Sequence, residues 1–332
     1  MSGKRIWNWR VTAGFAALLA LALLLAVSLG PINLGFPAVL RTLLGSRDAL
    51  SPIDQTVLLQ IRLPRVILAG LVGAALATSG AVYQTVFRNP LADPYLLGIA
   101  AGAGLGATVA FVLGGASVGL LPLFAFVGGI AAVLVTFVVA GARRSDPRTL
   151  LLSGVAVGSF ATAAQTYLFQ SHTQVLRTVY SWILGQLVVS DWPTVAWTAG
   201  YLAVALGVLF AISRRLDGLL LSDEEAYSLG LKPARLRALA IAAATLATAT
   251  AVAAGGLIGF VGLVIPHLIR GLLQRATNRA LPTIALAGAT FLILADLGAR
   301  TLVSPAELPI GVITAFVGAP FFLYVLRRGG RQ

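Results

Sequence analysis

Apolar residues in this chain run on in long unbroken blocks, with neither the strict alternation of a barrel strand nor the polar stripe of a surface helix. About ten blocks reach roughly 20 residues, the length that crosses about 30 Å of hydrocarbon as a helix. They are Val11 to Leu29, Val66 to Val86, Tyr95 to Leu113, Leu120 to Ala140, Leu150 to Phe169, Val195 to Ile212, Ala238 to Ala254, Gly256 to Leu273, Leu281 to Leu297 and Leu308 to Leu326. In lipid a continuous run must satisfy its own backbone, which only a helix does. The pattern predicts an all-α, polytopic transmembrane helical bundle: a single membrane domain over residues 11–326, with tails at 1–10 and 327–332. The first block follows Lys4, Arg5 and Arg10, as a signal peptide would. It exceeds the roughly 7 to 15 residues of a secretory apolar core, so it is read as a retained span.

One place breaks the pattern. Gly255, Gly256, Gly259, Gly262 and Pro266 interrupt the eighth block before Arg270. Irregular backbone at membrane depth needs protein or a water-filled cavity around it, so this span is expected at the interior, with a packing kink as the bland alternative. A weak echo links Thr78 to Pro94 with Ala253 to Arg270. It predicts two five-helix halves in an inverted pseudo-repeat, with a pathway between them.

Composition agrees with lipid solvation: hydrophobic residues make up 58% and charged residues 11%, against about 25% charged in soluble domains. A net charge of +13 would fit nucleic acid, but the basic residues are scattered between apolar blocks and form no face. Topology accounts for them better. With both termini cytoplasmic, only Arg41, Arg47, Arg62, Arg65, Arg177 and Arg300 fall outside, a strong positive-inside bias. Cysteine is absent and the histidines are His172 and His267, so neither disulfides nor a protein-built metal cage is expected. Each histidine is read first as an ordinary loop or structural residue.

No phosphate-binding loop is present, nor a nucleophile with its base, so the chain is not expected to be an enzyme. The longest cytoplasmic connection is 213–237. Ser222 followed by Asp223, Glu224 and Glu225 is an N-cap with an acidic first turn, and Gly230 with Pro233 ends the helix. Ala226, Tyr227 and Leu229 on that helix would suit a groove on a partner. At the outer surface, Arg62, Arg65 and Arg300 sit where guanidinium is costly without an acceptor; an external acidic partner or a lipid headgroup would supply one. Asp296 could titrate in a proton-coupled secondary transporter, although an ion pair with Arg300 four residues on is simpler. A non-transporting scaffold is the remaining alternative.

The stretch Arg62 to Gly106, together with DEEAYSLGL (Asp223 to Leu231), GFVGLVIPHLIR (Gly259 to Arg270), ADLGAR (Ala295 to Arg300) and ELPIGVITAFVGAP (Glu307 to Pro320), resembles the membrane permeases of bacterial ABC importers for iron-siderophores, haem and cobalamin. The resemblance implies a homodimer in the inner membrane, two cytoplasmic ATPase subunits and an extracytoplasmic binding protein. ATP and magnesium would sit on the ATPases, with no cofactor in this chain. It makes the helix from Ser222 to Gly230 a coupling helix on the ATPase, and makes Arg62, Arg65 and Arg300 partners for glutamates of the binding protein. It also implies a path lined by the fifth and tenth spans, for which Gln165, Tyr167, His172 and Arg177 are the candidate residues.

Overall fold

The computed structural model describes residues 9–30, 32–46, 48–114, 120–143, 146–187, 190–273, 280–304 and 306–329, and among these every regular element is helical. The helices are α1 (Trp9–Ser28), α2 (Phe36–Leu43), α3 (Pro52–Thr56), α4 (Leu63–Val86), α5 (Ile99–Gly114), α6 (Leu121–Ala140), α7 (Pro147–Ser171), α8 (Thr173–Ile183), α9 (Trp192–Leu216), α10 (Asp223–Ser228), α11 (Pro233–Gly255), α12 (Val261–Leu273), α13 (Leu281–Thr301) and α14 (Ile310–Gly329). Seven helical stretches are long and apolar enough to span a membrane, and three shorter apolar helices, in α5, α12 and α14, complete the expected ten.

Boundaries differ from the sequence reading in instructive ways. The second span starts well before Val66: α3 begins at Pro52 behind a Ser51 cap and passes through a π-helical stretch, Val57–Arg62, into α4. Ser51 Oγ accepts from Asp54 N at 3.2 Å, and Pro52 at the first helical position needs no amide partner. The segment after His172, expected as a loop, forms α8. The short α2, which starts at a Pro-bearing first turn, was not anticipated either.

Helices α4 and α11 form the centre, each about 78% buried over its spanning stretch, whereas α1 is only 22% buried. Lipid gives helices no hydrophobic drive toward one another, so close backbone contact must supply the packing. Glycine makes that contact possible where α4 crosses α13: a Cβ on Gly73 would overlap Gly288 O, and one on Gly288 would overlap Gly73 O. A Cβ on Gly80 of α4 would overlap Gly262 O of α12, and one on Gly262 would meet Pro94.

The broken eighth span is present. α11 stops at Gly255, Gly256 turns with φ +71°, four residues carry no regular structure and α12 resumes for 13 residues. The amide freed at Ile258 donates to Tyr95 Oη at 3.1 Å, and that hydroxyl donates back to Ile258 O at 3.0 Å. Protein thus satisfies the irregular backbone, as its depth requires.

Candidate coupling surface and transport cavity

On the cytoplasmic side of the expected topology, α10 is built by its own sequence. Glu225 N donates to Ser222 Oγ at 3.2 Å and Ser222 N donates to Glu225 Oε2 at 2.9 Å, a reciprocal capping box. The backbone bond from Ser222, then that from its hydroxyl, hold the Glu225 carboxyl below the usual carboxylate range. At the other end Leu231 N reaches back to Ala226 O at 3.0 Å and Gly230 adopts φ +75°. Such a left-handed stop favours glycine.

Side chains of α10 divide sharply. Ala226 is buried within this chain, so the expectation that it meets a partner groove is corrected. Tyr227 and Leu229 stand out, 59% and 66% exposed, next to exposed Leu220 and Leu221. Glu224 is exposed. Asp223 is not free: its Oδ1 accepts from Arg88 Nη2 at 3.2 Å and Arg237 Nη2 at 3.0 Å. The helix is therefore a rigid apolar prominence fastened to the body of the bundle.

At the opposite end, the three arginines turn inward. Arg62 is 5% exposed and donates to Val27 O and Ser28 O, each at 3.1 Å, and to Ile32 O. Those acceptors include the last carbonyls of α1, which have no partner within the helix. Arg300 is 3% exposed; its Nε donates to Asp296 Oδ2 at 2.9 Å and its Nη2 to Ala26 O at 3.1 Å. The expected Asp296–Arg300 pair is therefore present, but Arg65 shares it, through Nε to Asp296 Oδ1 at 3.0 Å. Arg65 also makes a two-toothed contact with Glu307, at 3.1 and 2.9 Å. Glu307 is half exposed, so the Arg65–Glu307 edge is the accessible part of the cluster. An outward display of Arg62 and Arg300 is corrected to an internal one: both guanidiniums close helix ends.

An open cavity of 680 Å³ lies between α5, α7 and the turn that joins α4 to α5. Asp93 and Tyr95 come from the turn, while Ser159, Thr162 and Thr166 come from α7. Asp93 Oδ1 accepts from Tyr95 N at 2.8 Å, and burial pushes the carboxyl up to about 6. Of the proposed path residues, none lines this cavity. Gln165 is buried and donates to Thr108 Oγ1 of α5 at 3.1 Å. Tyr167 is exposed on the outer surface of α7, and His172 occupies the junction of α7 and α8, where its Nδ1 has no partner among the described residues. The Arg177 side chain lies outside the described residues. Asp93 and Tyr95 were not among the expected site residues, although both lie in the stretch Arg62 to Gly106 that carries the family resemblance.

Comparison with known proteins covers nearly the whole chain. It is 39% identical to the hemin transport system permease protein HmuU of Yersinia pestis, over 97% of each chain. It is also 39% identical to the cobalamin import system permease protein BtuC of Halobacterium salinarum, over 90% of this chain and 76% of that one. A solved structure described as an inward-facing conformation of a putative metal-chelate type ABC transporter superposes with a TM-score of 0.86 at 32% identity, covering 96% of this chain and 99% of that chain. The sequence pattern of the FecCD transport family extends over residues 18–328, and with a bundle of this form behind it the chain belongs to that family of ABC transporter permeases.

Proposed function

We propose that this chain is the permease subunit of an importer that moves a metal chelate inward across a bacterial inner membrane, with iron-siderophore, haem and cobalamin as the cargo classes. Two copies would form the pathway, two cytoplasmic ATPases would supply ATP and magnesium, and an extracytoplasmic protein would deliver cargo. The carrying observation is α10, a doubly capped helix fastened through Asp223 that presents Tyr227 and Leu229 to solvent. Apolar side chains held rigidly outside a bilayer suit a partner groove. Exposed Phe160 and Tyr167 of α7 and Phe316 and Leu323 of α14 fit a second copy or a pathway wall.

The docking role survives in narrower form. An acidic residue of the binding protein would meet the Arg65–Glu307 edge, with Arg62 and Arg300 holding that edge from within. A proton relay through Asp296 is disfavoured because two guanidiniums already neutralise it.

Leu229→Glu decides the coupling reading. Co-purification of the cognate ATPase and ATP-dependent uptake of haem, cyanocobalamin or a ferric siderophore into proteoliposomes should both fall at least about tenfold, because a charge placed in an apolar contact costs a few kcal/mol. Membrane insertion should persist. Undiminished uptake by the inserted variant would refute the assignment.

A further inference from the structure

The geometry points to Arg88 as a positioning residue that makes α10 and one wall of the 680 Å³ cavity move as a single body. This rests on the coupling reading of α10 and deepens it, since that reading says where force enters and not how it reaches the pathway.

Arg88 is one of two non-glycine residues at positive φ among the described residues, with φ +49°. Left-handed backbone at an arginine is uncommon and needs surrounding contacts to hold it. Its amide returns to Thr85 O of α4 at 3.2 Å, and its side-chain contacts lead to the coupling segment. Arg88 Nε donates to Leu219 O at 2.7 Å, and Nη2 donates to Leu221 O and, at 3.2 Å, to Asp223 Oδ1. One guanidinium thus grips the two carbonyls that precede α10 and the first carboxylate within it.

Behind Arg88 the chain is stiff. Asn89 N returns to Gln84 O, Leu91 N to Asn89 Oδ1, Ala92 N to Asn89 O, Tyr95 N to Asp93 Oδ1 and Gly98 N to Tyr95 O, all at 2.8 to 3.0 Å. A turn hydrogen-bonded at nearly every step has few soft dihedrals left, so displacement at residue 88 is carried to Asp93, Tyr95 and Leu96 on the cavity wall. Tyr95 then passes it to the irregular backbone at Ile258. A packed element with two arrangements needs such a stiff connection to its trigger.

Because the chain has no cysteine, nitroxide labels attach only where placed. Leu91→Cys on the turn and Ser228→Cys on α10 are exposed sites outside the Tyr227 and Leu229 contact, and Leu18→Cys on α1 gives a reference. Distances are measured by pulsed electron spin resonance on the permease with its cognate ATPase, nucleotide-free and with ATP plus vanadate. The expected result is that 18–228 and 18–91 both change while 91–228 stays constant. Arg88→Gly accepts the left-handed backbone, which glycine adopts freely, and removes the grip. In that background 18–228 should still change while 18–91 no longer follows. A constant 18–228 distance in the parent complex would overturn the coupling reading itself. An 18–228 change with 91–228 varying in the parent, or with 18–91 still following in Arg88→Gly, would overturn the role of Arg88 alone.

Discussion

Asp296 should be the most stability-critical ionisable residue at the end of the bundle opposite α10. Its carboxylate is fully buried and accepts from Arg65 Nε at 3.0 Å and Arg300 Nε at 2.9 Å. In Asp296→Asn the shape is retained, but one oxygen becomes an NH₂ group that faces a guanidinium, donor against donor. Arg65 keeps Glu307, so most of the loss falls on Arg300, left with Ala26 O. Breaking a buried pair from one side costs about 3–5 kcal/mol, and the two charge-assisted bonds at about 1.5–3 kcal/mol each give the same range.

Unfolding in mixed micelles, followed by tryptophan fluorescence, would measure the change. Asp296→Leu combined with Arg300→Met should recover about half of the loss, because it leaves no unpaired charge at that position. A cost for Asp296→Asn below about 1 kcal/mol, the scale of an exposed pair, would refute the account. So would a double variant less stable than the single one.

Gly288→Ala should cost about 1–3 kcal/mol or prevent folding, since its Cβ meets Gly73 O and Ala77 Cβ and backbone cannot step aside; thermal aggregation in detergent would report it. Asp93→Asn should stabilise the protein above pH 6, where the buried carboxylate is charged, and leave it unchanged near pH 3; the pKa raised to about 6 makes the wild type lose stability as pH rises toward that value, so a parallel pH profile for the two proteins would contradict it. Glu225→Gln should act with the opposite sign. The depressed Glu225 carboxyl stabilises the helix start above the ordinary glutamate range and loses this as pH falls through its folded value, so the protection factor of the Ser222 amide, exchange corrected for its intrinsic pH dependence, should fall with pH in the wild type and stay constant in the variant.

The spans were legible because hydrocarbon length leaves its mark on every one of them, and the break at Gly256 because clustered glycine next to proline has few other uses in a span. The capping box was legible for the same local reason: Ser222 and Glu225 are three residues apart. Amphipathic α2 and α8 were not, since neither is long enough nor apolar enough to stand out from a loop. The direction in which Arg62 and Arg300 point depends on partners 30 or more residues away in sequence, and the burial of Ala226 on how α10 packs against the neighbouring α11. Sorting charges by membrane side tells where an arginine lies along the normal and nothing about which way its guanidinium turns. Glu307 and Arg65 are separated by 242 residues, and no local signal joins them.

The excess of basic residues acquires a different meaning once their acceptors are known. With 24 Lys and Arg against 11 Asp and Glu, most guanidiniums cannot find a carboxylate. Several end on main-chain carbonyls instead: Arg62 and Arg300 at the end of α1, Arg88 on the approach to α10 and Arg270 on Ala81 O of α4, with Gln84 Oε1 at 2.6 Å beside it. Most of these places are helix ends or breaks, where carbonyls lack an intrahelical partner; Ala81 O is the exception, inside α4 and also accepting from Thr85 Oγ1 at 3.0 Å. A planar guanidinium closes two such acceptors at once and remains charged, which an ammonium on a flexible stem does less well. Arginine in this fold therefore lets α1 stop and holds the approach to α10 in place, while the break at Ile258 depends on Tyr95 and glycine instead.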